Sequence, residues 1–392
     1  MTLRAQHHYY HVLRLGELRR LYWAHTVKEL AGSMVSIFVP IYLYRLHYSI
    51  RAILVYFLLS SVFWAITQAP LLRWAGHIGF NRSMGVSLFV EGLQILMLAT
   101  IPRYHWPLWL IAVVWGVSIS LYWPQFRASF ARSLLHRQIA SAAGLSSALL
   151  LFALGIAPAI GGAIASWLGI GVLYVVSMLC FMAAALPLFV GPEIIHDEPF
   201  SLRDVPWREA WRDFASDGAY EIDGSIAASI WPLLIFLIIP SYIGVGLLSS
   251  VGVIASIVIT LYVGRRQIKK MSGYMNSGAG IVALTNAIRL AAQSVGVVAG
   301  INLFYGLGQA LIATPYYSRY YHNAEHEPLL PYVYGMMIGC ALGDIVLFVP
   351  LLLLSLVIPI KAVLVIGLIL AIPAGYAIRI IRAPRAATSL AH

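Results

Sequence analysis

The second half of this 392-residue chain repeats its first, inside a sequence apolar enough to fill a bilayer. Glu29-Leu30-Ala31-Gly32-Ser33 aligns with Glu221-Ile222-Asp223-Gly224-Ser225, and the register runs on to Pro40 against Pro232. At nearly the same separation, Leu58-Leu59-Ser60-Ser61-Val62 recurs as Leu247-Leu248-Ser249-Ser250-Val251. Pro124 in Trp123-Pro124-Gln125-Phe126 then answers Pro315 in Thr314-Pro315-Tyr316-Tyr317. Anchors that hold one register over so long a stretch imply a duplication that joined two similar halves.

Composition says where those halves live. The chain is 60% hydrophobic and only 10% charged, with a mean hydropathy of +0.83, whereas a soluble domain carries roughly 25% charged residues. Uncharged stretches recur along the whole length, which excludes a soluble domain with a single anchor. A membrane barrel would show alternating segments of about ten residues, and none occur. The net charge of +11 follows membrane topology and does not point to nucleic acid. Cys180 and Cys340 sit in apolar segments and read as small hydrophobes. Arg4, Arg14, Arg19 and Arg20 run straight into the first apolar stretch, so no cleavable signal peptide is expected. Paired membrane repeats are the architecture of carriers that open alternately to the two sides.

A spanning helix needs about 20 mostly apolar residues. On that rule the sequence predicts an all-α membrane protein, with twelve transmembrane helices in two pseudo-symmetric six-helix bundles. The predicted spans are 21–45, 51–72, 83–102, 106–126, 140–165 and 168–190, then 216–239, 241–263, 275–298, 300–318, 330–355 and 358–380. The domains are therefore 1–190, a connection over 191–215, and 216–392. With both termini in the cytoplasm, Arg73, Arg82, Arg132, Arg137, Arg265, Arg266, Lys269, Lys270, Arg379, Arg382 and Arg385 all fall inside. Only Arg45, Arg51, Arg103 and Lys361 lie in outside loops. That asymmetry obeys the positive-inside rule and places a multi-pass protein in the cell (inner) membrane. Within the connection, which opens at Gly191-Pro192, Trp207, Trp211 and Phe214 lie at helical spacing opposite Arg208, Arg212 and Asp213. This predicts a short amphipathic helix on the inner membrane surface.

Two homologous halves of six spans, a central linker and inside termini together resemble the major facilitator superfamily. Ala157-Pro158-Ala159-Ile160-Gly161-Gly162 in the fifth span, with Gly144 and Gly155 before it, is similar to the antiporter motif of that superfamily. There Pro and paired Gly bend a helix and let it pack closely. The loop Arg73-Trp-Ala-Gly-His-Ile-Gly79-Phe-Asn-Arg82 matches the family loop in its Gly and following Arg. Where the family carries an acid and then a base, this chain has Gly76 and His77. The resemblance implies a single-chain secondary carrier whose first, fourth, seventh and tenth helices line a central cavity.

An ionisable group at the bilayer centre costs about 2.5–3.5 kcal/mol on insertion scales, so those retained are the strongest functional pointers. They are Lys28, Glu29, Glu91, Arg127, Glu221, Asp223, Arg289 and Asp344. Glu29, Ser33, Ser36 and Pro40 share one face of their helix, and Glu221, Ser225, Ala228 and Pro232 share one face of theirs. The expectation is that these faces meet across the cavity and that at least one carboxylate takes up and releases a proton. The alternative is a fixed ion pair of Arg127 with Glu29 or with Glu221. Asp344, in the middle of its span, is either a cation or proton site or a structural partner of Arg289. Glu91 reads as a structural carboxylic acid, and Lys28 as a side chain reaching for the interface. Glu29, Arg127, Glu221, Asp223 and Asp344 are thus the candidates for proton coupling or gating.

For the substrate cavity the candidates are Ser33, Ser36, Trp115, Tyr122, Ser225, Asn302, Tyr305 and Gln309, a mixture of aromatics and small polar groups suited to an amphipathic organic solute. Tyr316, Tyr317, Tyr320 and Tyr321 read as an interfacial belt. The antiporter-like positions are Gly155, Pro158, Gly161 and Gly162. His322-Asn-Ala-Glu325-His326 matches a zinc-protease pattern, but is expected in a loop before Pro328 and as a chance match. The cluster His7, His8 and His11 reads as a solvated segment. Neither a metal nor a cofactor is expected beyond an ion gradient, which the retained acids point to being one of protons, and no phosphate-cradling GxxxxGKS/T occurs. No nucleophile or ligand constellation points to an enzyme. The partners are the lipid bilayer and a small molecule, not nucleic acid, and a monomer is expected. The reading is proton-coupled export of an organic compound, with uptake by symport, facilitated diffusion or lipid carriage as alternatives.

Overall fold

The structure, a computed structural model, describes residues 20–134, 140–190, 193, 200–264 and 271–383. The cluster His7, His8 and His11, Gly191-Pro192, Arg137, the run Arg265, Arg266, Lys269 and Lys270, and Arg385 lie outside the described residues. Regular structure among the described residues is helical throughout. The first six long helices are α1 (Arg20–Arg45), α2 (Ile50–Ile78), α3 (Phe80–Ala99), α4 (Leu108–Leu134), α5 (Ala140–Trp167) and α6 (Ile170–Phe189). They are followed by α7 (Trp211–Ile238), α8 (Tyr242–Gly264), α9 (Met271–Arg289), α10 (Val295–Glu325), α11 (Leu329–Leu354) and α12 (Ile360–Ile380). Among the described residues, 9 helices are long and apolar enough to cross a membrane. α5 and α8 contribute the shorter apolar runs Ala153–Trp167 and Tyr242–Ile257. Ile66, Trp109, Leu186, Val346 and Leu353 stand on outward faces and are exposed, the arrangement of a protein dissolved in lipid.

Helix pairing repeats along the chain. α2 packs on α4, and α3 on both α4 and α6; equivalently, α8 packs on α10, and α9 on both α10 and α12. α2 meets α11, and α8 meets α5. The duplicated serines explain part of this. Ser61 Oγ on α2 donates to Asp344 Oδ2 on α11 at 2.8 Å, while Ser250 Oγ on α8 accepts from the Ala159 amide on α5 at 3.1 Å. Matched prolines do similar work. α1 tightens into a 3₁₀ turn over Ser36–Phe38 just before Pro40, and α7 widens into a π turn over Ile226–Ile230 just before Pro232. A proline has no N–H for the preceding turn, so the helical ladder is interrupted there.

Glycine places the motif of α5. A Cβ on Gly161 would strike the Met34 carbonyl of α1, and a Cβ on Gly246 of α8 would strike the Pro158 carbonyl. A Cβ on Gly162 would lie 2.7 Å from the Tyr242 carbonyl, and one on Gly155 would lie 3.2 Å from Ile257. Gly155, Pro158, Gly161 and Gly162 therefore set how closely α5 approaches α1 and α8.

Several expected boundaries move. α7 starts at Trp211, and Asp213, expected on a polar outer face, is fully buried and accepts from Arg382, Asn323 and Tyr332. In place of a separate surface helix, the connection shows only a 3₁₀ turn at Leu202–Asp204 among its described residues. The predicted ninth span ends early, because Ser294 caps a new helix by accepting from the Val297 amide at 3.4 Å. α10 continues to Glu325, so His322 and Glu325 stand on its last turn and not in a loop; with His326 their ligand atoms lie within 4.8 Å of one another. The acid that the loop after α2 lacks comes from the connection. Glu193 accepts from the Asn81 and Arg82 amides at 2.8 and 3.2 Å, where the positive end of α3 favours a carboxylate. Gly79, at φ +96°, leaves the room that Glu193 takes.

Candidate functional site

A cavity of about 370 Å³ lies between the two sets of helices. α1 contributes Lys28, Glu29, Ser33 and Ser36; α4 contributes Trp115, Tyr122, Trp123 and Arg127; α7 contributes Tyr220, Glu221 and Ala228. Glu91 and Gln94 of α3 also reach it, as do Tyr56 and Trp64 of α2 and Tyr317 of α10. The α1 face holding Glu29, Ser33 and Ser36 therefore looks into the same space as Glu221 and Ala228. Glu91 stands on this wall with no hydrogen-bond partner among the described residues, where a structural acid was expected.

Contacts between the two sides of the cavity flank it at both ends. At one end Arg127 Nη1 donates to Asp217 Oδ2 at 2.7 Å, and Tyr316 donates to the other carboxylate oxygen. Asp217 is 1% exposed. Next to them Gln68 Nε2 of α2 donates to the Tyr334 carbonyl of α11 at 3.0 Å. Tyr316 and Tyr320 are fully buried, and the Arg127 guanidinium lies 5.2 Å from the Tyr320 ring centre. These tyrosines, expected at the lipid interface, pack instead at this end of the cavity, Tyr316 through its hydroxyl on Asp217 and Tyr320 through its ring beside Arg127. At the opposite end Phe57 of α2 stacks on Phe348 of α11 with centroids 5.6 Å apart, and Arg51 donates to the Ser355 carbonyl.

The expected ion pairs are redistributed. Arg127 pairs with neither Glu29 nor Glu221, because Asp217, one turn before Glu221, stands closer to the end of α4. Glu29 is held instead by its neighbour Lys28, whose Nζ lies 2.8 Å from Glu29 Oε1. Lys28 is only 7% exposed and turns inward, not toward the interface. Its ammonium sits 4.6 Å from the Trp123 ring centre and 5.1 Å from that of Tyr122. His25, a turn earlier, stacks on Phe126 at 3.8 Å and hydrogen-bonds Tyr122 at 3.1 Å.

The remaining candidates gather away from this cavity wall. Asp344 accepts from Ser61 and from Ser225, whose Oγ is 2.5 Å away, and does not pair with Arg289. It thereby ties α2, α7 and α11 together. Asp223 accepts from Asn286 Nδ2 at 2.7 Å, from Tyr305 at 2.7 Å and from Gln309 Nε2 at 2.5 Å. Arg289 donates to Asn286 Oδ1 at 2.7 Å and lies over the Tyr305 ring at 4.2 Å. Asn302 bonds Trp231 and the Leu248 carbonyl. Ser225 thus ties α7 to α11, Asn302, Tyr305 and Gln309 tie α10 to α7 and α8, and Asp223 is the hub of a polar network within the second half. Asp217, His25 and Gln94 were missed by sequence reasoning. Asp217 falls at the very start of the predicted span 216–239 and was not counted among the charges inside the bilayer, yet its spacing from Glu221, one helical turn, was readable.

No known family profile matches the sequence, and no curated protein matches it. Among solved structures, the chain is similar to the crystal structure of a point mutant of the nucleoside transporter NupG, with a TM-score of 0.62 at 12% identity. The likeness covers 93% of this chain and 98% of that one. The chain has the major facilitator fold. Within that fold the cavity lies between α1 and α7, with the Arg127–Asp217 and Phe57–Phe348 contacts at its two ends.

Proposed function

We propose that this chain is a secondary carrier working by alternating access, with twelve spans in two six-helix bundles, 1–190 and 216–392, that rock about the central cavity. The observation that carries this is a central cavity whose walls come from both repeats and which is flanked at each end by a contact between them. One end is locked by Arg127–Asp217 across α4 and α7 and the other by Phe57–Phe348 across α2 and α11. Opening one lock while the other holds is the motion that a repeat of this kind performs. The repeated helix pairing and the matched roles of Ser61 and Ser250 support the division into bundles.

Proton-coupled export of an organic compound is the favoured direction, supported by Glu29 and Glu221 on the cavity wall and by the close-packed Pro158-Gly161-Gly162 segment. The protein sits in the inner membrane with both termini cytoplasmic, on the distribution of Arg and Lys between loops. The likeness to a nucleoside transporter favours a second reading, uptake of a solute with an aromatic ring, in the same cavity and with the same acids.

Spin labels test the motion without a known substrate. In a background lacking Cys180 and Cys340, one pair is placed at His77 and Glu325 and another at Tyr104 and Val357. On a pH jump in nanodiscs, distances at the two ends change in opposite senses if the bundles rock. Unchanged distances at both ends would remove the proposal. In proteoliposomes, an exchanger and a symporter answer opposite pH gradients, which separates export from uptake.

A further inference from the structure

The charges lining the cavity do not balance. Lys28, Glu29, Glu91, Arg127 and Glu221 face it, but both cations are already engaged, Lys28 by Glu29 and Arg127 by Asp217. Glu91 and Glu221, one from each half, are left without a salt bridge among the described residues. The charged neighbours of Glu91 are Lys28 and Glu29, both on α1. Those of Glu221 are Asp217 on its own helix, Arg127 on α4 and Asp344 on α11, with the Cys340 thiol beside it. Asp217 and Asp344 outnumber Arg127 around Glu221, and Glu91 shares the single cation Lys28 with Glu29.

Lys28 shows how these walls treat an ammonium group. Its Nζ is held by a carboxylate at 2.8 Å on one side and by the faces of Trp123 and Tyr122 on the other. A carboxylate with aromatic ring faces is the setting in which a desolvated organic cation is most strongly bound. The same materials line the rest of the cavity: Glu91 and Glu221 for charge, and Trp115, Tyr56, Phe57 and Tyr220 for surface.

We infer that the cavity selects organic cations with an apolar or aromatic body, with Glu91 and Glu221 as their counter-charges and Lys28 as a tethered competitor for Glu29. This rests on the reading of the cavity as the substrate site. An anion would meet two unpaired carboxylates in a medium of low dielectric, and a neutral solute would leave both buried and unpaired. A proton on the same carboxylate gives the same neutrality as the cation. Each cation therefore replaces one proton, and binding strengthens as pH rises.

The test is equilibrium binding to the full chain in nanodiscs. The probes are the permanent cations benzyltrimethylammonium and tetraphenylphosphonium, set against phenylmethanesulfonate and tetraphenylborate, anions of matching shape. Because the cationic probes carry no titratable proton, any pH dependence belongs to the protein. The cations are expected to bind more tightly than the anions and more tightly at higher pH. Glu91→Gln and Glu221→Gln should each weaken them by about thirtyfold or more, the scale of losing one partner of a desolvated charge pair. Lys28→Met should tighten them, and Glu209→Gln, an exposed acid remote from the cavity, should leave them unchanged. Equal or tighter binding of the anions overturns the inference, as do cation affinities that neither glutamate alters, or no cation binding at all. The anion comparison needs no variant, so a variant that fails to fold does not shield the inference. Spin-label distances that still move oppositely would then leave the carrier reading standing without it.

Discussion

Arg127 of α4 and Asp217 of α7 meet at 2.7 Å, joining the two halves of the chain through a pair that is almost wholly buried. A buried pair is not by itself a strong stabiliser, because desolvation offsets most of the attraction. Losing one member is another matter. Asp217→Asn and Arg127→Gln should each destabilise the closed state by about 3–5 kcal/mol, while the double variant loses less than the two together. A thermal unfolding series in detergent measures this. In the same variants, a cysteine at Tyr317 on the cavity wall should react faster with an impermeant maleimide; an unchanged rate would mean that the pair does not close that end.

Asp344 is held by Ser61 from one half and Ser225 from the other. Hydrogen bonds to a charged group are worth about 1.5–3 kcal/mol each. Ser61→Ala and Ser225→Ala should therefore lower stability by comparable amounts, and Asp344→Asn should make their effects unequal, since an amide offers an acceptor at only one of its two positions. Unfolding midpoints of the single and double variants read the coupling directly.

Close helix approach makes a prediction free of charge effects. Gly246→Ala should sharply reduce the yield of monodisperse protein, because its Cβ would meet the rigid Pro158 carbonyl. Gly273→Ala, with open space around the same position on α9, should be silent. Size-exclusion profiles of the two decide the matter.

Asp223 gathers Asn286, Tyr305 and Gln309. Asp223→Ala leaves several buried donors without an acceptor and should cost more stability than Tyr305→Phe, which removes one donor and keeps the rest. Should Tyr305→Phe prove the more damaging, the network would be organised around the tyrosine.

Much of the fold was readable because the repeat acts at the level of packing. Pro40 and Pro232 each follow a departure from α geometry, and Ser61 and Ser250 each reach across to the other half. Such roles follow from residue type and register, which a sequence carries openly. The site was less legible, for two reasons. Adjacent residues on a helix point in different directions, so Lys28 and Glu29 gave no hint that a long side chain would fold back onto its neighbour. And Arg127 had several acids within plausible reach, so only the relative heights of α4 and α7 could choose Asp217. The tenth helix illustrates the same limit from another side: Pro315 lies inside it, and it still runs on to Glu325, because buried tyrosines on its last turns anchor it.

The disturbed turns at Ser36–Phe38 and Ile226–Ile230 sit at matching depth on the two central rods, one wound too tightly and the other too loosely. A rod whose hydrogen-bond ladder is already broken at one rung flexes at that rung before anywhere else. Each rod therefore carries a built-in joint just beyond its acidic residue, so its two segments can tilt independently while the glutamate keeps its footing.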